Sequence, residues 1–213
     1  MLLGAQGHEV TIATMTPGDC GARERGPEAI AAVRRREAAS AAQLIGARFV
    51  CAEFRDFGVF NDGPSRARVT EILRRCRPEM VLAASPEDPD CDHAAASGLV
   101  RDCSVAAAAA NYRTGAANAA AALAQVPHLY FMDPLAAPEF VVDIETSFSR
   151  KQRMLAQHRS QREEADDYLE RMERWSRLRG AVAAVEFGEG FRGYKGTQAL
   201  EELLGELVHR VVA

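Results

Sequence analysis

Arg77-Pro78-Glu79-Met80-Val81-Leu82-Ala83-Ala84-Ser85-Pro86-Glu87-Asp88-Pro89-Asp90-Cys91-Asp92-His93 contains a strand, a polar loop and the start of a helix. Met80–Ala84 is an unbroken apolar run between Arg77-Pro78 and the turn residues that begin at Ser85, which predicts a short buried strand. Asp92 is a natural N-cap for a helix from His93 to about Ala110. A strand apolar on both faces, followed by a helix, is the repeating unit of a parallel sheet.

The same alternation holds to either side. Upstream, Val10–Thr16 is a β-branched run ending at Pro17-Gly18, then a glycine-bearing loop reaches Pro27. A helix is predicted from Pro27 to Ile45, with Pro27 in its first turn and Gly46 at its C-cap. Arg48–Phe54 is a second strand, and Ser65–Cys76 an amphipathic helix with Val69, Ile72 and Leu73 inward. Met1–Gly7 has the pattern of the last turns of a helix ending at a glycine. Downstream, Val126–Met132 and Glu139–Ile144 are strands. Phe148–His158, Asp166–Ala184 and Gln198–Val212 are helices, and Gly188–Phe191 is a tight loop. The order predicts an α/β fold: a Rossmann-like parallel sheet flanked by helices, in a single domain spanning 1–213.

The chain has 213 residues, 47% hydrophobic and 26% charged, a globular balance. Its net charge of -4 argues against binding nucleic acid by neutralising phosphates. No apolar run approaches the roughly 18 residues of a membrane span. Five cysteines without a C-x-x-C pair indicate neither a disulfide framework nor a zinc ribbon, so a reducing, cytoplasmic setting is expected.

In open α/β sheets, ligands bind at the carboxyl ends of the strands. The loop from Ser85 to His93 lies there and concentrates Glu87, Asp88, Asp90, Asp92, Cys91 and His93. Such a group suits a divalent metal, and it equally suits a helix N-terminus stabilised by acidic residues through the dipole.

The segments Gly7-His8-Glu9-Val10-Thr11, Arg36-Glu37-Ala38-Ala39 leading to Leu44-Ile45-Gly46, Arg77-Pro78-Glu79-Met80-Val81, Pro86-Glu87-Asp88 and Asp92-His93 occur in a familiar order. Together they resemble the LmbE-like family, the PIG-L de-N-acetylases. His158-Arg159-Ser160-Gln161, Arg179-Gly180 and Glu186–Arg192 extend the resemblance toward the C-terminus. That family includes zinc enzymes that remove acetyl groups from N-acetylglucosaminyl compounds. The resemblance implies a hydrolase in which zinc, held by two His and one Asp, activates water for attack on an acetamide.

His93 falls at the position of one metal ligand. Asp90 stands where the family has an oxyanion-stabilising His, and Asp92 precedes the ligand, so both are candidate catalytic residues. Arg34 matches a substrate-contacting Arg. It also forms an i,i+3 pattern with Glu37 that reads as a surface pair. Glu189, between two glycines, is a second candidate substrate contact. The family's Ala-His-Pro-Asp-Asp stretch, which carries the other two ligands and the general base, does not occur in this sequence. A first strand and most of a helix, about 20 residues on typical element lengths, are expected to be missing with it.

The expected function is therefore a zinc-dependent deacetylase of a sugar-linked acetamide, impaired in this chain, with weak or absent zinc and a possible homo-oligomer. The alternative is a catalytically inactive binding or scaffold protein on the same fold. Gly7-His8-Glu9-Val10-Thr11 also appears early in two-domain glycosyltransferases, but the length leaves no room for their second domain.

Overall fold

The structure is a computed structural model that describes residues 1–164, 167–196 and 199–211. In chain order its elements are α1 (Leu2–Ala5), β1 (Thr11–Thr14), α2 (Pro27–Gln43), β2 (Arg48–Cys51), α3 (Gly63–Cys76), β3 (Met80–Ala84), α4 (Cys91–Ala108), β4 (His128–Met132), β5 (Phe140–Asp143), α5 (Glu145–Leu155), α6 (Arg159–Glu164), α7 (Tyr168–Val182), β6 (Gly188–Gly193), α8 (Ala199–Leu204) and β7 (Val208–Arg210). The class is mixed α/β. None of the described helices is long and apolar enough to cross a membrane.

The chain forms two compact units. The first comprises Met1–Asp56, Phe140–Glu189 and Leu203–Ala213; the second comprises Phe57–Glu139 and Gly190–Glu202.

In the first unit β1 and β2 pair in parallel, from Thr11 opposite Arg48 to Thr14 opposite Cys51, with α2 as their crossover. Among the described strands β1 has β2 as its one neighbour. Pro27 opens α2 at its first position, and Gly46 follows its end with φ +68. β5 pairs antiparallel with β7. The packing of this unit centres on Ile30, Val141, Phe148 and Phe187, all buried. The Phe148 and Phe187 rings stack at 3.7 Å between centroids. Gly180 of α7 and Gly188 of β6 approach backbone to backbone. A Cβ on Gly188 would lie 2.6 Å from Val141 Cγ1 and 2.9 Å from Gly180 N, and one on Gly180 would lie 2.6 Å from Val185 O.

In the second unit β3 and β4 pair in parallel, Met80 opposite His128 through Ala84 opposite Met132. β4 then pairs antiparallel with β6, Tyr130 opposite Gly193 and Met132 opposite Phe191. Asp62 caps α3 by accepting from Ser65 N at 2.8 Å, and Arg77 ends it with φ 52 just before Pro78. Leu99, Tyr130 and Phe131 are buried, and the Tyr130 hydroxyl accepts from Leu200 N at 2.8 Å. Arg74, 5% exposed, donates to the carbonyls of Ala106, Ala107, Ala109 and Tyr112 at 2.8–3.2 Å and so satisfies the C-terminal end of α4.

Three expectations are corrected. The helix after β3 begins two residues earlier than the sequence suggests, and its N-cap is Asp90 rather than Asp92. Gly188–Phe191 is the start of strand β6 and not a tight loop; Gly188 serves the close approach to Gly180 and Val141. The region expected to form one C-terminal helix instead holds the short α8 and then strand β7, whose valine and histidine pair with β5. Gln198 and Val212, the bounds of that expected helix, and Asp166, the start of another, lie outside the described residues.

Candidate active-site loop

The β3–α4 loop belongs wholly to the second unit. Asp90 ends it as the cap of α4: Oδ1 accepts from Asp92 N at 2.9 Å and His93 N at 3.3 Å. Its own amide donates to Asp88 Oδ1 at 2.9 Å, so the acidic residues fold the loop around each other's backbone. The other oxygen of Asp88 lies 3.1 Å from His93 Nδ1. That contact orients the imidazole and leaves Nε2 as its second ring nitrogen, on a side chain 61% exposed. Metal-bound histidines are held in this way by a carboxylate on the far nitrogen.

Asp92 has a different task. Its Oδ2 accepts from Phe57 N at 2.6 Å and its Oδ1 from Val59 N at 3.2 Å. Both oxygens therefore hold the segment that leads into α3. Phe57 sits in this grip with φ 62, a left-handed conformation that costs a residue with a Cβ roughly 1–2 kcal/mol. Glu87 reaches away from His93, pairing with Arg192 at 3.0 Å and accepting from Ala136 N at 3.4 Å.

Arg34 and Glu189 lie in the first unit. The Arg34 guanidinium donates to Gly18 O at 2.8 Å and Gly21 O at 2.5 Å, and thus holds the loop that follows β1. Its Nε is buried without a hydrogen-bond partner. Glu37 is not paired with Arg34 here; it accepts from Ser160 N at 2.9 Å and Ser160 Oγ at 2.6 Å at the start of α6. Glu189 forms an ion pair with Lys151 at 2.7 Å. Both line a cavity of about 320 Å³ with Met154, Leu155, His158 and Met172. Burial pushes the His158 imidazole below its ordinary value; Glu37 opposes this and Arg34 reinforces it.

A catalytic zinc needs three protein ligands converging on one point. His93 offers one nitrogen. The oxygens of Asp92 are taken by backbone amides, and Asp90 Oδ1 caps α4. Among the described residues the one group of three His, Cys, Asp or Glu ligand atoms lying within 4.8 Å of one another is Asp19, Cys20 and Asp56, which excludes His93. In that group Asp19 accepts from Asp56 N and Asp56 from Cys20 N, each at 2.8 Å, and Arg55 pairs with Asp19. The described residues do not make up a catalytic zinc site. Sequence reasoning does not single out Asp88, the partner of His93, or the backbone amides of Phe57 and Val59. Asp88 is visible as a carboxylate five residues before the histidine; the amides carry no sequence signal.

Parallel strands with a loop of carboxylates and an imidazole after β3 place the chain among α/β folds, and solved deacetylases share that fold. Residues 1–104, just under half of the chain, match the family model described as PIG-L: GlcNAc-PI de-N-acetylase. The match includes Arg34, Asp90, Asp92 and His93; Glu189 lies beyond it.

Among solved structures, N,N'-diacetylchitobiose deacetylase from Pyrococcus horikoshii is similar over 91% of this chain and 76% of its own, at 25% identity and a TM-score of 0.79. The conserved protein TT1542 from Thermus thermophilus is similar over 92% of this chain and 87% of its own, at 25% identity and a TM-score of 0.78. Among curated proteins, the 4-oxalmesaconate hydratase of Pseudomonas putida is 34% identical over 83 residues, 38% of this chain. That match spans 32% of the hydratase, about a third of its length.

Proposed function

We propose that this chain is a deacetylase-type protein for a sugar-linked acetamide, working in the cytoplasm, and that its 213 residues alone hold zinc weakly and release amine slowly. The family match over residues 1–104 and the likeness to a chitobiose deacetylase support the substrate class. The observation that carries the impairment is the use of the loop's acceptors. Asp92 binds two backbone amides and Asp90 caps a helix, which leaves the Asp88-oriented His93 as the one imidazole offered by this loop. Both oxygens of Asp92 and one oxygen of Asp90 accept from backbone amides, which weakens these carboxylates as bases, and losing a general base alone typically lowers a rate about 10²–10⁴-fold. No nucleic acid is involved, and self-assembly into a homo-oligomer is compatible with this reading.

The test is zinc affinity by competition with a chromophoric chelator, alongside amine release from an N-acetylglucosaminyl substrate. The 213-residue chain is expected to bind zinc weakly, with His93→Ala removing what remains. A chain given an upstream Ala-His-Pro-Asp-Asp stretch is expected to gain tight zinc and turnover. Tight stoichiometric zinc and appreciable amine release by the 213-residue chain would sink the reading. No turnover by the lengthened chain would favour an inactive binding protein.

A further inference from the structure

We propose that the second unit carries a separate binding site for a small organic anion, in the cavity between the end of α3 and the segment that follows α4. The proposal does not depend on the deacetylase reading. His93 lies in the first turn of α4 and this cavity at its last, and an 18-residue helix is about 27 Å long.

The segment from Ala109 to Pro127 holds neither helix nor strand, yet it is fastened at several points. Glu71 of α3 accepts from Thr114 Oγ1 at 2.8 Å and from Ala120 N at 2.9 Å. Arg75 donates to Asn118 O at 2.6 Å, and Leu123 N donates to Ala107 O at 2.9 Å. Connections longer than about 12–15 residues without secondary structure are uncommon in compact domains and usually serve binding when they are ordered. This one leaves a cavity of about 440 Å³, the size of a small-molecule site, lined by Arg74, Tyr112, Arg113, Thr114 and the alanines at 119–122 among others.

The wall carries two guanidinium groups and no carboxylate. Arg74 is engaged with the carbonyls of Ala106, Ala107 and Ala109, which offsets the negative end of the α4 dipole where it meets the cavity. Glu71 grips the segment without lining the cavity, and its charge is matched by Arg75 at 2.7 Å. Arg113 is exposed and makes no hydrogen bond or ion pair with any described residue, so its planar fork of donors is available to a carboxylate or phosphate. The Tyr112 hydroxyl is also without a partner among the described residues. Alanine methyls and the Tyr112 ring complete the lining, and the volume exceeds what an inorganic ion fills. The ligand that fits is an anionic group on an apolar body.

The experiment is an NMR chemical-shift titration of the full chain with benzoate, phenyl phosphate, inorganic phosphate and the uncharged benzamide. Benzoate and phenyl phosphate are expected to saturate, with shifts concentrated at amides of 109–127, and their relative affinities tell a carboxylate from a phosphate ligand. Arg113→Gln should weaken both about tenfold, the weight of a hydrogen bond to a charged group, while Arg113→Lys retains part of the affinity. The melting temperature of Arg113→Gln should stay unchanged, because the parent side chain has no described partner to lose. Ala122→Leu, which fills the cavity with Arg113 intact, should block binding. The proposal is overturned if neither organic anion saturates, if benzamide binds as well as benzoate, or if Arg113→Gln binds as the parent does. Shifts confined to residues outside 109–127 overturn it as well. Inorganic phosphate binding as tightly as phenyl phosphate would overturn the assignment of an organic ligand.

Discussion

Asp92→Ala distinguishes a carboxylate that does chemistry from one that holds a loop. The side chain accepts from Phe57 N at 2.6 Å and Val59 N at 3.2 Å and lies in the first turn of α4. Hydrogen bonds to a charged group contribute about 1.5–3 kcal/mol each, and Asp92 is half-buried, so the lower figure applies, about 3 kcal/mol for the pair. Favourable placement at the helix N-terminus adds about 0.5 kcal/mol. Release of Phe57 from its left-handed conformation returns about 1–2 kcal/mol. The net loss is about 2 kcal/mol. Asp92→Asn keeps one acceptor and should lose about half as much. Urea denaturation at neutral pH measures the change. Amide hydrogen exchange locates it: Phe57 and Val59 should lose protection while the α4 interior keeps it. A stability change under about 0.5 kcal/mol, together with unchanged protection at those two amides, would refute the positioning role and return Asp92 to the list of catalytic candidates.

Arg74→Met should lower stability by about 3 kcal/mol, because three carbonyls at the end of α4 and that of Tyr112 beyond it lose a buried charged donor; thermal denaturation reads this directly. Arg34→Ala should free the loop after β1 by removing its donors to Gly18 O and Gly21 O, seen as faster proteolysis between Pro17 and Gly26 with secondary structure retained. His158 has its folded pKa lowered by burial, so its contribution is complete above the unfolded value near 6.5 and is lost as pH falls toward the lower folded value. His158→Gln should flatten stability across that window in denaturant titrations at stepped pH. Asp102, lowered chiefly by the Asn61 amide, follows the same sign further down: its contribution holds above about pH 4 and disappears in acid. Asp102→Asn should flatten that limb alone.

The elements nearest the loop are legible because their signals are local. Met80–Ala84 is a strand over the bounds its apolar run suggests, whereas α3 begins at Gly63, two residues before the expected Ser65, with Asp62 as its N-cap. The cap of α4 is displaced by two residues because Asp90 and Asp92 are chemically equal at that position; only the reach of Asp92 toward Phe57 separates them. β6 escapes a sequence reading because Gly188 and Gly190 lower strand propensity, a local preference that tertiary packing overrides. His93 can be picked as a ligand candidate from its neighbours. Its Asp88 partner and the engagement of Arg34 with two backbone carbonyls depend on chain folding that no short pattern encodes.

The contact between Gly180 and Gly188 bears on how this sequence can change. At each position a methyl group would enter space already held by backbone, 2.6 Å from Val185 O in one case and 2.9 Å from Gly180 N in the other. Backbone cannot rotate aside as a side chain can, so a substitution at either position gains nothing from a compensating one at its partner. The pair therefore closes off mutational routes through α7 and β6 instead of linking them. In a saturation library selected for folded protein, both sites should retain glycine almost exclusively, while exposed Leu178 and Val182 on the same helix accept polar residues freely.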